Sequence, residues 1–123
     1  MVNSQPVQPH RGEIWFVRIP SDPPDKHARP VIVVSLDARN QHPRANTVLV
    51  VPLSTTLRGF DTHVRLEPGE TGLGELSEAQ AENISTVRKE SLVPSRSRLR
   101  TISAIRLGQI AKCVVLAMGI LDI

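Results

Sequence analysis

Residues 48–60 read VLVVPLSTTLRGF, an apolar run that meets Pro52 and gives way to three consecutive hydroxyl residues, Ser54, Thr55 and Thr56, with Arg58 close behind. Hydroxyls at a strand exit make turns by bonding nearby backbone groups. They also donate to phosphate oxygens, and a neighbouring cation strengthens that use. A second cation, Arg29, stands directly before PVIVVSL (30–36), the other continuous apolar run of strand length. A guanidinium offers a planar fork of donors that can grip two phosphoryl oxygens at once. On residue types alone, an Arg beside a proline on a loop is first a solvated charge, so a phosphate clamp built from Arg29 and the hydroxyl cluster needs a further warrant than spacing.

Some chemistries are poorly served. Cys113 is the one cysteine, so no internal disulfide forms, and it sits in an apolar helical pattern as a small core residue. The four histidines are scattered, and no Cys/His spacing suits zinc. No metal or cofactor is expected. With one Trp, two Phe and no Tyr, the chain has no broad stacking platform for bases. The net charge of +3 and a pI near 9.8 favour an anionic partner. The positive charge is concentrated late, in SRSRLR (95–100).

The elements that must position these groups read as a small β-rich domain. A length of 123 residues with 40% hydrophobic content fits one domain with a modest core. The first ten residues have no apolar signal region and read as a disordered leader, with a single domain over 11–123. No run of eighteen apolar residues is present, so no membrane span is indicated and a cytoplasmic location is the default.

GEIWFVRI (12–19) reads as a strand, followed by PSDPPDKHARP (20–30), a loop because it holds four prolines in eleven residues. PVIVVSL (30–36) and NTVLVVPL (46–53) read as central strands joined by a turn-rich connection. THVRLEP (62–68) alternates Val64 and Leu66 with His63, Arg65 and Glu67, as in a strand with one wet face. GETGLGELSEAQ (69–80), with three glycines, reads mostly as loop, AENISTVR (81–88) as a strand, and RLRTI (98–102) as a possible last strand. Ser103 is an N-cap for a helix with Ile105, Ile110, Val114 and Met118 on one side. Short antiparallel strands with a terminal helix suggest a small barrel with the helix outside.

RGEIWFV (11–17), RPVIVVS (29–35), VLVVPLSTTLRG (48–59) and AENISTVRKESL (81–92), in this order, resemble the MazF/PemK/Kid toxins of toxin–antitoxin pairs. The likeness spans residues 11–120. It implies a mainly β fold, an SH3-like antiparallel barrel with peripheral helices, and a homodimer. The implied activity is a metal-independent ribonuclease that cuts single-stranded RNA at a short sequence. The substrate's 2′-hydroxyl would attack, leaving a 2′,3′-cyclic phosphate and a 5′-hydroxyl. The implied partner is an antitoxin whose acidic, largely disordered tail folds on binding.

Residue by residue, the resemblance carries the core of the catalytic site onto Arg29 and Thr55. Arg29 would stabilise the extra charge on the pentacoordinate phosphorus, and Thr55 would donate to a non-bridging oxygen. Glu82 falls at an acidic position of some relatives and is a candidate general base; a solvent-facing Glu, or one paired with Arg29, is the other reading. Gln80 stands where those relatives have a second Arg, which places a two-arginine mechanism in doubt. Ser54, Arg58, His27, Lys26 and Gln80 are candidate RNA contacts. His27 could also share proton transfer, since its ordinary pKa lies near neutrality. The proline-stiffened loop departs from the Gly-rich loop of relatives, so the recognised bases are not readable. Two alternatives follow from the same motifs: a catalytically inactive module that binds RNA or antitoxin, and a non-enzymatic gyrase poison of the same fold, suggested by Met118-Gly119-Ile120 near the end.

Overall fold

The computed structural model describes residues 8–18, 22–24, 27–93 and 100–120. In chain order its elements are β1 (Ile14–Val17), β2 (Arg29–Val33), α1 (Asp37–Asn40), β3 (Thr47–Ser54), β4 (His63–Leu66), α2 (Pro68–Thr71), β5 (Ser77–Gln80), β6 (Ser85–Arg88) and α3 (Ala104–Ala117). Short 3-10 turns at Ala81–Asn83 and Lys89–Ser91 flank β6. No helix among the described residues is long and apolar enough to cross a membrane.

All the strand pairings are antiparallel, in the order β1-β2-β3-β5-β4, with β6 also on β3. β3 is the shared strand. One of its edges takes β2, while the other takes β6 along Thr47–Val50 and then β5 at Leu53 and Ser54. Pro52 lies where the partner changes, so its missing N–H falls between the β6 and β5 pairings. β1 and β4, the ends of the strand order, are not paired with each other among the described residues. The antiparallel sheet is therefore present without the closed ring of the expected barrel.

The apolar runs are continuous because both faces of the central strands are covered. Ile32, Val51, Leu53, Leu66 and Ala79 face α3 and meet Leu107 and Ile110. Val31, Val33, Val48 and Val50 form a second cluster with Val17, Val87 and Leu92. Adjacent residues of one strand thus enter opposite clusters, as the pleat requires. Truncating Ile110 to Ala is expected to cost about 3 kcal/mol of stability. Chemical denaturation measures this, and a loss under about 1 kcal/mol would contradict the packing of α3.

Several sequence expectations change. The stretch 69–80 is not mostly loop. Pro68–Thr71 forms a helical turn with a reciprocal Glu67/Glu70 capping box, Gly72 closes it at φ 80°, and β5 follows after the short bend 73–76. The glycines mark the helix stop rather than a long loop. A short helix, α1, occupies the turn-rich connection, and AENISTVR splits into a 3-10 turn and β6.

α3 begins as expected, with Ser103 Oγ accepting from the Arg106 amide. Its apolar face, however, runs through Leu107 and Ile110 with Cys113 and Val114, while Ile105 and Met118 are exposed. The expected stripe is right at Ile110 and Val114 and wrong at its two ends, Ile105 and Met118. Of the possible strand at 98–102, residues 98 and 99 lie outside the described residues, and 100–102 form no strand. Of the leader, residues 8–10 are described and tied down: Pro9 O accepts from Gln41 Nε2 at 2.7 Å, and the His10 amide donates to Glu13.

Candidate active site

The β2–β3 ladder pairs Val31 with Pro52, Ile32 with Val51 and Val33 with Val50. Continued by two residues, that register brings Arg29 alongside Ser54. The start of β2 and the end of β3 thus meet at one edge of the sheet. A cavity of about 340 Å³ opens there, lined by Arg29, Ser54, Thr55, Thr56 and Glu75 over a floor that includes Leu53.

Arg29 is held on two sides. Its Nη1 donates to Asp22 Oδ1 at 3.0 Å and its Nη2 to Gln80 Oε1 at 3.3 Å. The side chains of Arg29 and Asp22 are 14% and 9% exposed, so the ion pair is largely shielded from water. Asp22 Oδ2 is buried with no hydrogen-bond partner among the described residues. Gln80 Oε1 also accepts from Asn83 Nδ2 at 3.1 Å. The position aligned with a second Arg therefore holds an amide that steers the first.

The hydroxyls divide their tasks. Ser54 Oγ accepts from the Thr56 amide at 3.1 Å and so shapes the strand exit. Thr55 is exposed and makes no side-chain hydrogen bond among the described residues. Its hydroxyl is available to a ligand. Arg58 lies with its guanidinium carbon 6.0 Å from the centre of the Phe60 ring, which is exposed beside it.

Glu82 lies elsewhere. Its carboxylate accepts from Thr62 Oγ1 at 2.9 Å and meets His63 Nε2 at 2.8 Å, and it does not line the cavity. It makes no ion pair with Arg29; Asp22 does. His27 is exposed, and Lys26 lies outside the described residues.

Sequence reading placed His63 on a wet face. Instead its side chain is 1% exposed, with Nδ1 2.8 Å from Glu78 Oε1, and Glu78 is 2% exposed. Burial alone would push the Glu78 carboxyl up. The amides of Arg58 and Gly59, the His63 ring and the Arg65 guanidinium outweigh it and hold the group at about 2. Glu78 and Glu75 were missed because β5 was hidden behind the glycines. Asp22 gives no local signal, being one of several charges in the proline-rich loop. The residue pattern S-E-A-Q over 77–80 gives no alternation that would have revealed a strand with all four residues buried.

The family model for the PemK-like, MazF-like toxins of type II toxin–antitoxin systems matches residues 10–118. The chain belongs to this family. A MazF-family relative from Mycobacterium tuberculosis, named probable endoribonuclease MazF5, is 34% identical over 110 residues, covering 89% of this chain and 93% of its own. Among solved structures, an endoribonuclease from a mycobacterial species superposes with a TM-score of 0.72 at 27% identity, covering 94% of this chain and 96% of its own. Another mycobacterial endoribonuclease, solved with its cognate antitoxin, gives 0.71 at 26% identity, covering 94% and 99%. MazF-mt6 of M. tuberculosis, at 24% identity and a TM-score of 0.71 over 89% of this chain and 99% of its own, shares the fold.

Proposed function

We propose that this MazF-family chain is a sequence-specific, metal-independent endoribonuclease that cuts single-stranded RNA. The observation that carries this reading is the convergence of Arg29 and the Ser54–Thr56 hydroxyls on one cavity. In the proposed reaction the substrate's 2′-oxygen attacks phosphorus and the P–O5′ bond breaks. The products are a 2′,3′-cyclic phosphate and a 5′-hydroxyl. A base takes the 2′-proton, and an acid returns a proton to O5′. Charge builds on the non-bridging oxygens between these events, and Arg29 with Thr55 is placed to receive it.

Arg29 starts with both terminal nitrogens engaged, so phosphate must displace or share Asp22 and Gln80. Proton removal is assigned to a carboxylate. Glu82 holds that role by resemblance, whereas Glu75 lines the cavity directly. Ser54 supports the loop, Arg58 and His27 are offered to RNA, and Lys26 and Gln80 remain candidates for the same surface. The reading brings with it a homodimer, a cytoplasmic location and an antitoxin with an acidic, partly disordered tail. The relative solved with its antitoxin supports that last partner.

The test is cleavage of a long single-stranded RNA in EDTA, with the cut ends mapped. Discrete cuts at one short sequence, bearing cyclic phosphate, are expected. Glu75→Gln and Glu82→Gln, assayed alongside across pH, identify the base as the variant that loses both the rate and the acid limb of its pH profile. Binding without cutting, on RNAs that cover all short sequences, would instead make the chain an inactive binding module.

A further inference from the structure

The loop joining β3 to β4 carries Thr55, Thr56 and Arg58, but its placement is set by another strand. The amides of Arg58 and Gly59 donate to the two carboxylate oxygens of Glu78, at 2.9 and 3.0 Å. Gly59, at φ 67°, takes the left-handed conformation that lets successive amides point the same way, an arrangement that holds anions. Here the anion is internal. Glu78 is also the cross-strand partner of Ser54 at the root of the loop. Thr55 is thus slung between two fixed points.

Glu78 is itself locked. His63 meets it through Nδ1 and meets Glu82 through Nε2, both at 2.8 Å. A ring with a carboxylate against each nitrogen carries both protons. Arg65 Nη2 donates to the second Glu78 oxygen at 3.2 Å. Two residues further along β5, Gln80 holds Arg29. One short strand therefore braces both halves of the phosphate clamp.

We propose that Glu78 is the positioning residue for the hydroxyl half of the site, and that the doubly protonated His63 ring is its lock. The proposal rests on the nuclease reading above. When the ring loses a proton, one carboxylate is left facing a lone pair: loss from Nδ1 breaks the hold on Glu78 directly, while loss from Nε2 releases the ring from Glu82, so Glu78 is no longer pinned by a ring held on both sides, and the loop loosens. The other groups around the ring do not replace that proton. Glu82 is tied to Thr62, Arg65 serves only Glu78 among the described residues, and the Phe60 ring sits 5.0 Å away beneath Arg58. From α3, the Cys113 thiol donates to the Asp61 carbonyl at 3.4 Å. Burial, with the charges of Asp61 and Glu82, pushes that thiol up and keeps it neutral.

The sign of the pH effect follows. Burial alone would lower the His63 pKa, but its bonds to Glu78 and Glu82 outweigh burial and raise it above the ordinary 6.5. The lock is complete below that ordinary value and is lost as pH rises through the raised one.

Single-turnover cleavage and backbone amide exchange test the idea together in wild type, Glu78→Gln and His63→Gln. Glu78→Gln should lower kcat by about tenfold to a hundredfold, the scale of a misplaced catalytic group, with KM within about threefold. In the same variant the Arg58 and Gly59 amides should lose protection while the β3 amides keep theirs. The wild-type rate should fall on the alkaline side, and His63→Gln should be slow throughout and lack that fall. Glu78→Gln cleaving within about threefold of wild type, equal Arg58 and Gly59 exchange in both proteins, or an alkaline fall unchanged in His63→Gln would overturn the proposal. If wild type cuts no RNA, the nuclease reading fails, and amide exchange alone decides whether Glu78 holds the loop.

Discussion

Arg29→Ala should lower RNA cleavage about a thousandfold, the largest effect expected of any single change in this chain. The guanidinium lines the cavity, and in the proposed reaction its charge and forked donors are both needed as phosphorus gains a fifth oxygen. Arg29→Lys should recover little. An ammonium keeps the charge but cannot reach Asp22 and Gln80 at once, as Nη1 and Nη2 do at 3.0 and 3.3 Å. The variant also strands the Asp22 carboxylate, which is buried beside Arg29. Part of any loss could then come from a shifted loop. Asp22→Asn combined with Arg29→Ala removes that orphaned charge, and the rate should stay low in the double variant. Cleavage by Arg29→Ala within about tenfold of wild type would remove Arg29 from the chemistry.

Thr55→Val should cost about a hundredfold in kcat, with a smaller change in KM. The substitution keeps the β-branched shape and deletes only the hydroxyl. Thr55 is the informative choice because Ser54 Oγ is already occupied by the Thr56 amide, so changing Ser54 would disturb the strand exit as well. Thr55→Ser, which restores the hydroxyl with more rotamer freedom, should return most of the rate. Equal rates for Thr55→Val and wild type in single-turnover assays would leave the hydroxyl cluster with a turn-forming role alone.

The sequence made β1, β2 and β3 legible because burial on both faces leaves unbroken apolar runs, such as Val31–Val34 and Val48–Val51. It made the start of α3 legible through Ser103. Arg29 and Thr55 were legible through the family motifs RPVIVVS and PLSTTLRG, since position at the end of an apolar run does not by itself separate Thr55 from Ser54 and Thr56. What stayed hidden depended on partners distant in sequence. Ser77–Gln80 has no apolar alternation, since its buried polar residues are satisfied from other elements: Gln80 by Arg29 and Asn83, and Glu78 by the loop, His63 and Arg65. His63 sits in a pattern that alternates correctly, yet its side chain is enclosed because two carboxylates accept it. The Asp22–Arg29 pair links a proline-rich loop to a strand end, and no local spacing announces such a pair.

β3 is paired along both edges, to β2 on one side and to β6 and β5 in turn on the other, with Pro52 at the changeover. A strand held in this way has no cheap local opening; its amides are released only when the neighbouring strands part as well. The wall from which Thr55 projects therefore lasts as long as the native state does. Transient fraying of β3 does not reach the site, and what can still shift is the loop beyond the strand end, held by Glu78 at the Arg58 and Gly59 amides. A molecule that fills the cavity silences the site in proportion to its concentration and affinity, without having to open the wall.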